Sequence, residues 1–346
     1  MRNICRDSVF NYSFTKHSLL FLARGTCFYY LIIPAMFFSC NKPVIENEIY
    51  GETTESHKVK SSHINNGINT LDAFVLEDEA NGRLDCYQRF ESPQEVSNLA
   101  SGSGSKTLYL IANSKRERYD WADIKNINAI SDICVDLEKE SLDSPTMTSL
   151  QKIRAGECVN LNLTPLTCEV TLRSISCDFS GKPYSKEKFT LNRIFLTYVN
   201  ATSSIVPEIQ GKTARIINAG MLDEEHLKRF YDKDIIVKEI EQVIGTSPSN
   251  INSSLYCYEN SPNEESIGSP FTKLVIEGQI AGDTYYYPIR INAKNGGVIK
   301  RSKYIFDIVL RRIGATSPDG ELNEGEIEVT TQVKAWKEKD SYSVGF

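Results

Sequence analysis

Tryptophan, histidine and methionine are scarce in this sequence, with 2, 4 and 4 residues among 346. The catalytic patterns G-x-S-x-G and H-E-x-x-H are both missing. His226 is the only histidine within a segment that has the pattern of folded structure. Two carboxylates could still form a glycosidase site, because their separation in space is not visible in a sequence. Apart from that class, the sequence disfavours an enzyme and predicts no catalytic residue, no metal site and no cofactor.

Clusters of basic residues are missing too, and the formal net charge is −6. Nucleic-acid-binding domains are usually basic, so no nucleic-acid partner is expected. The glycine- and serine-rich stretch 101–105 lacks the glycine that a phosphate-binding loop places directly before its lysine. In contrast, the chain has 17 Tyr and 15 Phe, and such aromatic residues are enriched in β-strands. The composition therefore indicates an acidic, strand-rich protein.

No C-x-x-C pair occurs among the nine cysteines. Six of them follow Cys40, at Cys86, Cys134, Cys158, Cys168, Cys177 and Cys257. An even number of cysteines in an exported protein permits disulfides, but sequence spacing does not reveal their connectivity. Disulfide bonds and free, buried thiols are therefore both open.

The N-terminal segment has the layout of an export signal. Thr26–Ser39 is an uncharged, mostly apolar run, shorter than the roughly 20 residues that span a bilayer but suited to a secretory signal. Four positive charges precede it, at Arg2, Arg6, Lys16 and Arg24. The run ends in Phe37-Phe38-Ser39-Cys40, which resembles the lipobox of bacterial lipoproteins. We expect cleavage between Ser39 and Cys40 and a lipid on Cys40, with a plain secretory signal as the alternative.

Four parts are predicted along the chain: a signal peptide at 1–39, a flexible tether at 40–66, and β-sandwich domains at 67–200 and 201–346. The tether is polar and lacks hydrophobic periodicity. His57 and His63 lie within it, and no cluster of Cys, Asp or Glu completes a metal site around them. We interpret both as solvated residues.

Short apolar and alternating segments predict the strands. Leu71–Leu76 is short and apolar, Thr107–Asn113 is apolar on both faces, and both predict strands in the first domain, the second of them central. The apolar phase shifts between Leu172 and Ile175, which predicts a β-bulge or a bend. Five more strands with turns between them predict an antiparallel sandwich: Leu255–Glu259, Lys273–Gln279, Thr284–Asn292, Lys303–Ile313 and Glu326–Trp336. Short helices are expected within 118–130 and from Asp223.

Several of these segments resemble fimbrillins of the Bacteroidales type. The resemblance covers most of residues 67–346 and is densest after Leu255. It rests on the order of seven segments: Leu71–Leu76, Thr107–Ser114, Leu255–Asn260, Phe271–Ile276, Tyr286–Ile289, Lys300–Tyr304 and Val329–Trp336. Ser302 stands where an asparagine is usual in that family.

This resemblance implies an all-β, mainly antiparallel fold of two tandem transthyretin-like β-sandwiches with one or two short helices. It implies a structural subunit of a type V pilus, involved in adhesion, whose partners are other fimbrial subunits. The precursor would be a lipoprotein of the outer membrane, with diacylglycerol and palmitate on Cys40. Subunits would join by β-strand exchange, for which the candidate strand residues are Leu71, Phe74, Leu76, Ile327, Val329 and Val333.

Maturation of shaft subunits in this family implies a protease cut at an arginine. Arg83 is the first arginine after Cys40 and follows the predicted Asn81-Gly82 turn, so it is the expected site. If Arg83 stays intact, a lipid-anchored base or anchor subunit is the alternative. A surface glycan-binding lipoprotein is a further alternative, in which Tyr286 could stack on a host or bacterial ligand.

Overall fold

The regular secondary structure of the described residues consists of twenty β-strands, two short α-helices and four 3₁₀ helices, the last at Arg118–Trp121, Leu137–Lys139, Tyr231–Lys233 and Ala293–Asn295. The structure is a computed structural model that describes residues 56–57, 67–79, 81–91, 99–100, 102–154, 160–206, 216–218, 224–262, 270–322, 327–335 and 342–345. The strands are β1 Ser56–His57, β2 Thr70–Glu77, β3 Leu84–Glu91, β4 Leu99–Ala100, β5 Ser105–Ala112, β6 Cys134–Asp136, β7 Met147–Arg154, β8 Asn160–Pro165, β9 Cys168–Cys177, β10 Phe189–Thr197, β11 Val199–Asn200, β12 Thr202–Ser204, β13 Ile216–Ile217, β14 Val237–Ile244, β15 Ser249–Cys257, β16 Lys273–Ile280, β17 Asp283–Arg290, β18 Ser302–Leu310, β19 Ile327–Ala335 and β20 Tyr342–Gly345. The helices are α1 Ile127–Ser131 and α2 Glu224–Lys228.

The predicted all-β, mainly antiparallel class is confirmed. Both α-helices fall where short helices were expected, although each has only five residues. Asn126 caps α1 by accepting a hydrogen bond from the Ala129 amide at 3.0 Å, as asparagine commonly does at a helix start. No helix among the described residues is long and apolar enough to cross a membrane.

A six-stranded antiparallel sheet contains the earliest long strand, β2. Its strand order is β20-β8-β7-β5-β2-β3, so β2 pairs with β5 on one side and β3 on the other. The predicted central strand, Thr107–Asn113, is observed as β5 between β2 and β7. Apolar residues of β2 and β5 point to both faces of this sheet and lie in two separate buried clusters. That two-sided burial explains why neither strand shows a simple alternation in sequence.

Two four-stranded sheets follow, with the orders β14-β10-β16-β17 and β15-β9-β18-β19. All neighbours are antiparallel except β9 and β18, which run parallel. The buried alternation of β18 is the clearest in the chain, because Tyr304, Phe306, Ile308 and Leu310 are all buried. The predicted strands of the C-terminal third are therefore confirmed, and their turn signals mark real strand ends.

Strand pairing crosses the expected domain boundary at residue 200. β9 and β10 precede that residue but pair with β15, β16 and β18, which follow it. β12, which follows residue 200, pairs with β6, which precedes it. One buried apolar cluster also contains residues from both parts, such as Phe74 and Phe306. Strand pairs therefore connect residues on both sides of residue 200. The division into two domains stays a prediction.

Two local departures from expectation concern the tether and the last predicted strand. Ser56–His57 pairs with Leu99–Ala100, so the expected tether contains a short strand. In β19, Ile327 and Val329 are only partly buried and Val333 is 48% exposed. The alternation of apolar residues in Glu326–Trp336 predicts one buried face, and this prediction is wrong beyond the first three residues of β19, whose later side chains are exposed. The expected signal peptide, with Ser39 and Cys40, lies outside the described residues.

The predicted bulge between Leu172 and Ile175 is confirmed. The pairing of β9 with β18 skips Arg173, since Phe306 faces Leu172 and Asp307 faces Ser174. An extra residue in one strand changes which face the following side chains point to. This explains the phase shift that the sequence shows.

Candidate assembly site

Strand β2 is the element on which the predicted exchange mechanism depends. Its side chains from Leu71 to Leu76 are all buried, each with at most 1% of its surface exposed. Leu71 and Val75 lie in one apolar cluster, whereas Phe74 and Leu76 lie in the other. The strand therefore fills a slot that is closed by β5, by β3 and by apolar residues on both faces.

Aromatic contacts hold Phe74 within this slot. The Phe74 ring centroid lies 4.8 Å from that of Tyr87 and 5.2 Å from that of Trp121, the second contact being edge-on at 72°. Edge-on aromatic pairs of this kind are favourable beyond their buried area. Tyr87 belongs to β3 and Trp121 to a 3₁₀ turn, so Phe74 joins three segments of the chain.

A buried carboxylate, Asp72, adds a polar requirement to the slot. The Tyr87 hydroxyl donates to Asp72 Oδ1 at 2.8 Å, and the Ser114 hydroxyl donates to Oδ2 at 2.7 Å. Arg89 lies 3.8 Å away on β3. Burial raises the pKa of Asp72, and the two hydrogen bonds oppose that effect. Any strand replacing β2 would have to supply an acceptor at this position, because an unpaired buried hydroxyl is costly.

A second ion pair closes the end of the slot. Lys106 on β5 is 2% exposed, and its Nζ lies 2.7 Å from Glu77 Oε1 and 3.1 Å from Asp85 Oδ2. Glu77 ends β2 and Asp85 lies near the start of β3. The buried ammonium of Lys106 therefore links β5 to β2 and β3, the two strands on either side of the predicted cleavage site.

Arg83 lies in the connection between β2 and β3. Its side chain is exposed, but its backbone forms an isolated antiparallel bridge with Asn126. The Glu77 amide donates to the Arg83 carbonyl at 2.8 Å, and the next amide, Leu84, donates to the Lys125 carbonyl at 2.8 Å. Both polar groups of the peptide bond after Arg83 are therefore paired, and the peptide bond before it is held by the Ile127 amide, which donates to the Gly82 carbonyl at 3.0 Å.

The preceding glycine tightens this connection further. Gly82 has φ +48°, and a Cβ at that position would lie 2.8 Å from Ile127 Cγ2. Only glycine adopts this conformation without strain and leaves room for the isoleucine. The connection is thus a packed turn, and a protease would need it to open locally.

Solved structures share the overall fold, although no protein-family profile and no curated protein matches the chain. A fimbrilin from Porphyromonas gingivalis W83 is 14% identical, with a TM-score of 0.53 over 82% of this chain and 94% of that one. A putative cell adhesion protein from Parabacteroides distasonis is 16% identical, with a TM-score of 0.57 over 82% and 97%. Another from Bacteroides eggerthii is 13% identical, with a TM-score of 0.57 over 82% and 94%.

The chain has a fimbrillin fold. The resemblance to Bacteroidales fimbrillins that the sequence segments indicated is therefore confirmed in the structure. At identities of 13–16% the likeness concerns the fold, and the transthyretin-like detail stays a prediction.

Within this fimbrillin fold, the predicted exchange residues fall in two different sheets. Leu71, Phe74 and Leu76 lie on β2 in the six-stranded sheet, whereas Ile327 and Val329 lie on β19 in another sheet. Val333 lies on β19 as well. The structure does not bring the two strands together. Sequence reasoning also missed β20, which pairs with β8 at the edge of the six-stranded sheet; only the short alternation in Tyr342–Gly345 could have indicated it.

The aromatic residues considered for sugar stacking, and His226, lie in packed surroundings. Trp121 is 2% exposed and Tyr287 is buried, and Tyr286 is half-buried beside a bridge to Ala315. None of these three is an open stacking platform for a sugar. His226 accepts a hydrogen bond from the Asn218 amide at 3.3 Å. Among the described residues, no group of three or more His, Cys, Asp or Glu side chains is arranged to hold a metal ion.

Among the described residues, the structure distinguishes between disulfide bonds and free thiols. Five are free thiols: Cys86, Cys134, Cys168, Cys177 and Cys257. Burial raises the pKa of Cys168 and of Cys177 to about 12, so these two thiols are poor nucleophiles at neutral pH. Cys158 lies outside the described residues.

Proposed function

We propose that this chain is a structural subunit of a surface fimbria that joins its neighbours by β-strand exchange. The fold supports the fimbrial role, since it is shared with a fimbrilin. The observation that carries the exchange step is the position of β2, which is paired on both sides and is followed in the connection to β3 by the exposed Arg83. Loss of β2 would open one continuous slot for a strand from another subunit.

The apolar side chains that β2 buries indicate that the empty slot would bind a replacement strand strongly. Four large apolar side chains of β2 are buried: Leu71, Phe74, Val75 and Leu76. At about 1.5–3 kcal/mol each, their burial contributes on the order of 10 kcal/mol, which is comparable to the whole stability of a typical domain. A sheet that had lost β2 would therefore be stabilised most by binding a strand with a similar pattern of apolar side chains.

The incoming strand must satisfy three requirements. It must place apolar side chains on both faces, because β2 contributes to two apolar clusters. It must carry an acceptor opposite Tyr87 and Ser114, where Asp72 now lies. It must also pair with β5 and β3 at once. These requirements would select the donor strand and its register.

A lipid-anchored base or anchor subunit is the second candidate. The hydrogen bonds on both sides of Arg83 favour it, because they keep the bond away from a protease. An uncut chain would retain β2 and could not accept a donor strand. It would also keep the acyl chains on Cys40 and stay at the outer membrane, where more than one chain gives stable anchoring.

Treatment of the full chain with an arginine-specific protease separates the two roles. For a shaft subunit we expect a cut at Arg83 and ladders that resist sodium dodecyl sulfate. Arg83→Ala should abolish both, whereas Arg154→Ala, an exposed arginine at the end of β7, should not. Ladders that persist in Arg83→Ala would refute cleavage at Arg83. Absence of ladders from the wild type would contradict the shaft role and favour the anchor role.

Lipidation has its own test. Mass spectrometry of the N-terminus of the surface-extracted protein should show Cys40 with attached acyl groups. Cys40→Ala should leave the precursor unprocessed, whereas Cys27→Ala, within the apolar run, should be processed normally. Normal processing and membrane retention of Cys40→Ala would contradict the lipoprotein proposal.

A further inference from the structure

A polar hollow in the described part of the fold lies on the outer face of the sheet β15-β9-β18-β19. Its volume is about 340 Å³, within the range of small-molecule sites. Side chains from all four strands line it, among them Asn252 of β15, Thr171 of β9, Ile305 of β18 and Lys334 of β19. The hollow lies in a different sheet from the β2 slot and is not used in the proposed assembly.

Two β-bulges shape this hollow. One places Arg173 as the extra residue of β9, and the other interrupts the pairing of β15 between Asn250 and Ser253. Asn252, inside the second bulge, has φ +48°. Both Arg173 and Asn252 line the hollow. Bulges often redirect side chains next to binding sites, and here two neighbouring strands carry one at the same place.

A network of hydrogen bonds orders the floor of the hollow. Glu169 accepts from the Ser254 hydroxyl at 2.8 Å and from the Thr171 hydroxyl at 3.2 Å. Its other oxygen lies 3.1 Å from Lys303 Nζ. Arg173 donates through Nε to Asp307 Oδ1 at 2.9 Å. Hydroxyls, a carboxylate and two cations are therefore already in place before any ligand arrives.

The charges on this face are not balanced. Lys334 of β19 stands directly opposite Lys303 of β18, and like charges in that arrangement destabilise a strand pair. Glu169 neutralises Lys303. No carboxylate of the described residues forms an ion pair with Lys334, which is exposed at the rim. An anion bound beside Lys334 would relieve the repulsion.

We infer that this hollow binds an anionic saccharide, a sugar ring that carries a carboxylate. The carboxylate is held by Lys334 with Lys303 behind it, since charge-assisted hydrogen bonds of this type are the strong ones. The ring hydroxyls contact Asn252 and Thr171, and the apolar face of the ring covers Ile305. The hollow combines cations, hydroxyl groups and one apolar side chain. This mixture favours a sugar acid over a purely acidic peptide, because the peptide has no ring hydroxyls to hydrogen-bond with the polar groups of the hollow.

Calorimetric titration of the full chain with glucuronate tests this inference, with glucose as the neutral comparison. We expect binding of glucuronate, about tenfold weaker in Lys334→Ala because one charge-assisted hydrogen bond is lost. Lys294→Ala is the matched control, since it removes an exposed lysine outside the hollow. Added salt should weaken the binding by the wild type.

Three results would overturn the inference. The first is glucuronate binding no tighter than glucose. The second is equal affinity in Lys334→Ala and Lys294→Ala, which would place any binding elsewhere. The third is binding of an oligo-aspartate peptide without binding of glucuronate, which would assign the hollow to a protein partner instead.

Discussion

The six-stranded sheet and the sheet that ends in β19 each contain a strand predicted to take part in assembly, and the two strands are placed differently. In the first sheet, the early strand β2 lies between β5 and β3 and its side chains are buried on both faces. In the second, the late strand β19 is an edge, and most of its side chains are exposed. A strand that is paired on both sides stabilises its two neighbouring strands. An edge strand instead leaves backbone hydrogen-bonding groups open to partners. The comparison predicts that assembly depends on the first region and ligand contact on the second.

Phe74→Ala should have the largest effect. It removes a fully buried ring that contacts Tyr87 and Trp121, so we expect a loss of about 3–5 kcal/mol in the free energy of unfolding. Val333→Ala on the exposed part of β19 should change stability by no more than about 0.5 kcal/mol. Urea denaturation measures both. Similar losses in the two variants would show that the regions do not differ as described.

Tyr258→Phe tests the polar link between the two regions. The Tyr258 hydroxyl, on the chain after β15, donates to Glu140 Oε1 at 2.8 Å, and both residues are buried. Without this donor the carboxylate loses a buried partner, which costs about 1–3 kcal/mol. Tyr198→Phe, which removes an exposed hydrogen bond to Asp319, is the control. A loss in Tyr258→Phe no larger than that in the control would argue against a structural link here.

The two regions should also respond oppositely to pH. Hydrogen bonds from Arg173 lower the pKa of Asp307, so its contribution is present above the unfolded pKa and is lost as the pH falls through the lowered one. Burial raises the pKa of Asp72, so its effect on stability becomes less favourable as the pH rises through the carboxyl range. Each slope is limited to about 1.4 kcal/mol per pH unit.

Urea titrations between about pH 3 and 7 measure these slopes in Asp307→Asn and Asp72→Asn. The advantage of the wild type over Asp307→Asn should shrink toward acid pH. Its advantage over Asp72→Asn should instead shrink as the pH rises. Slopes of the same sign in both variants would contradict the assignment of the two carboxylates.

Removal of β20 should have the smallest and most local effect. A chain ending at residue 341 lacks the partner of β8, so amide hydrogen exchange should become faster in β8. Exchange in β16, which pairs on both sides with β10 and β17, should not change. Faster exchange in β16 would show that the last strand supports the whole fold.

Alternation predicted some elements well and others poorly, for a physical reason. In β18 one face meets the core and the other is only half-buried, so the buried Tyr304, Phe306 and Ile308 alternate with half-buried neighbours. The same rule failed for β19, where Ile327–Ala335 alternates in sequence but no opposite layer covers its second half. Periodicity shows which residues can share a face, and burial then depends on what that face meets.

The candidate assembly site was only partly accessible to sequence reasoning. Leu71–Leu76 was recognised from a short apolar run, which is a local feature, whereas Arg83 was expected from the fimbrillin resemblance and the turn before it. The Lys125 carbonyl accepts from the Leu84 amide and the Ile127 amide donates to the Gly82 carbonyl, so both fix the backbone beside Arg83. No local pattern contains such a contact across more than forty positions of the chain.

The sequence by itself determined the strand-rich class, the strands of the C-terminal third and the bulge at Arg173, because these follow from the period of side-chain polarity along one strand. Tertiary structure alone decided that β2 lies between β5 and β3, that β9 and β10 pair with later strands, and that Lys334 faces Lys303. Pairing partners depend on which distant segments bury each other's apolar faces, and that choice is made by packing between segments, which a single strand's pattern does not encode.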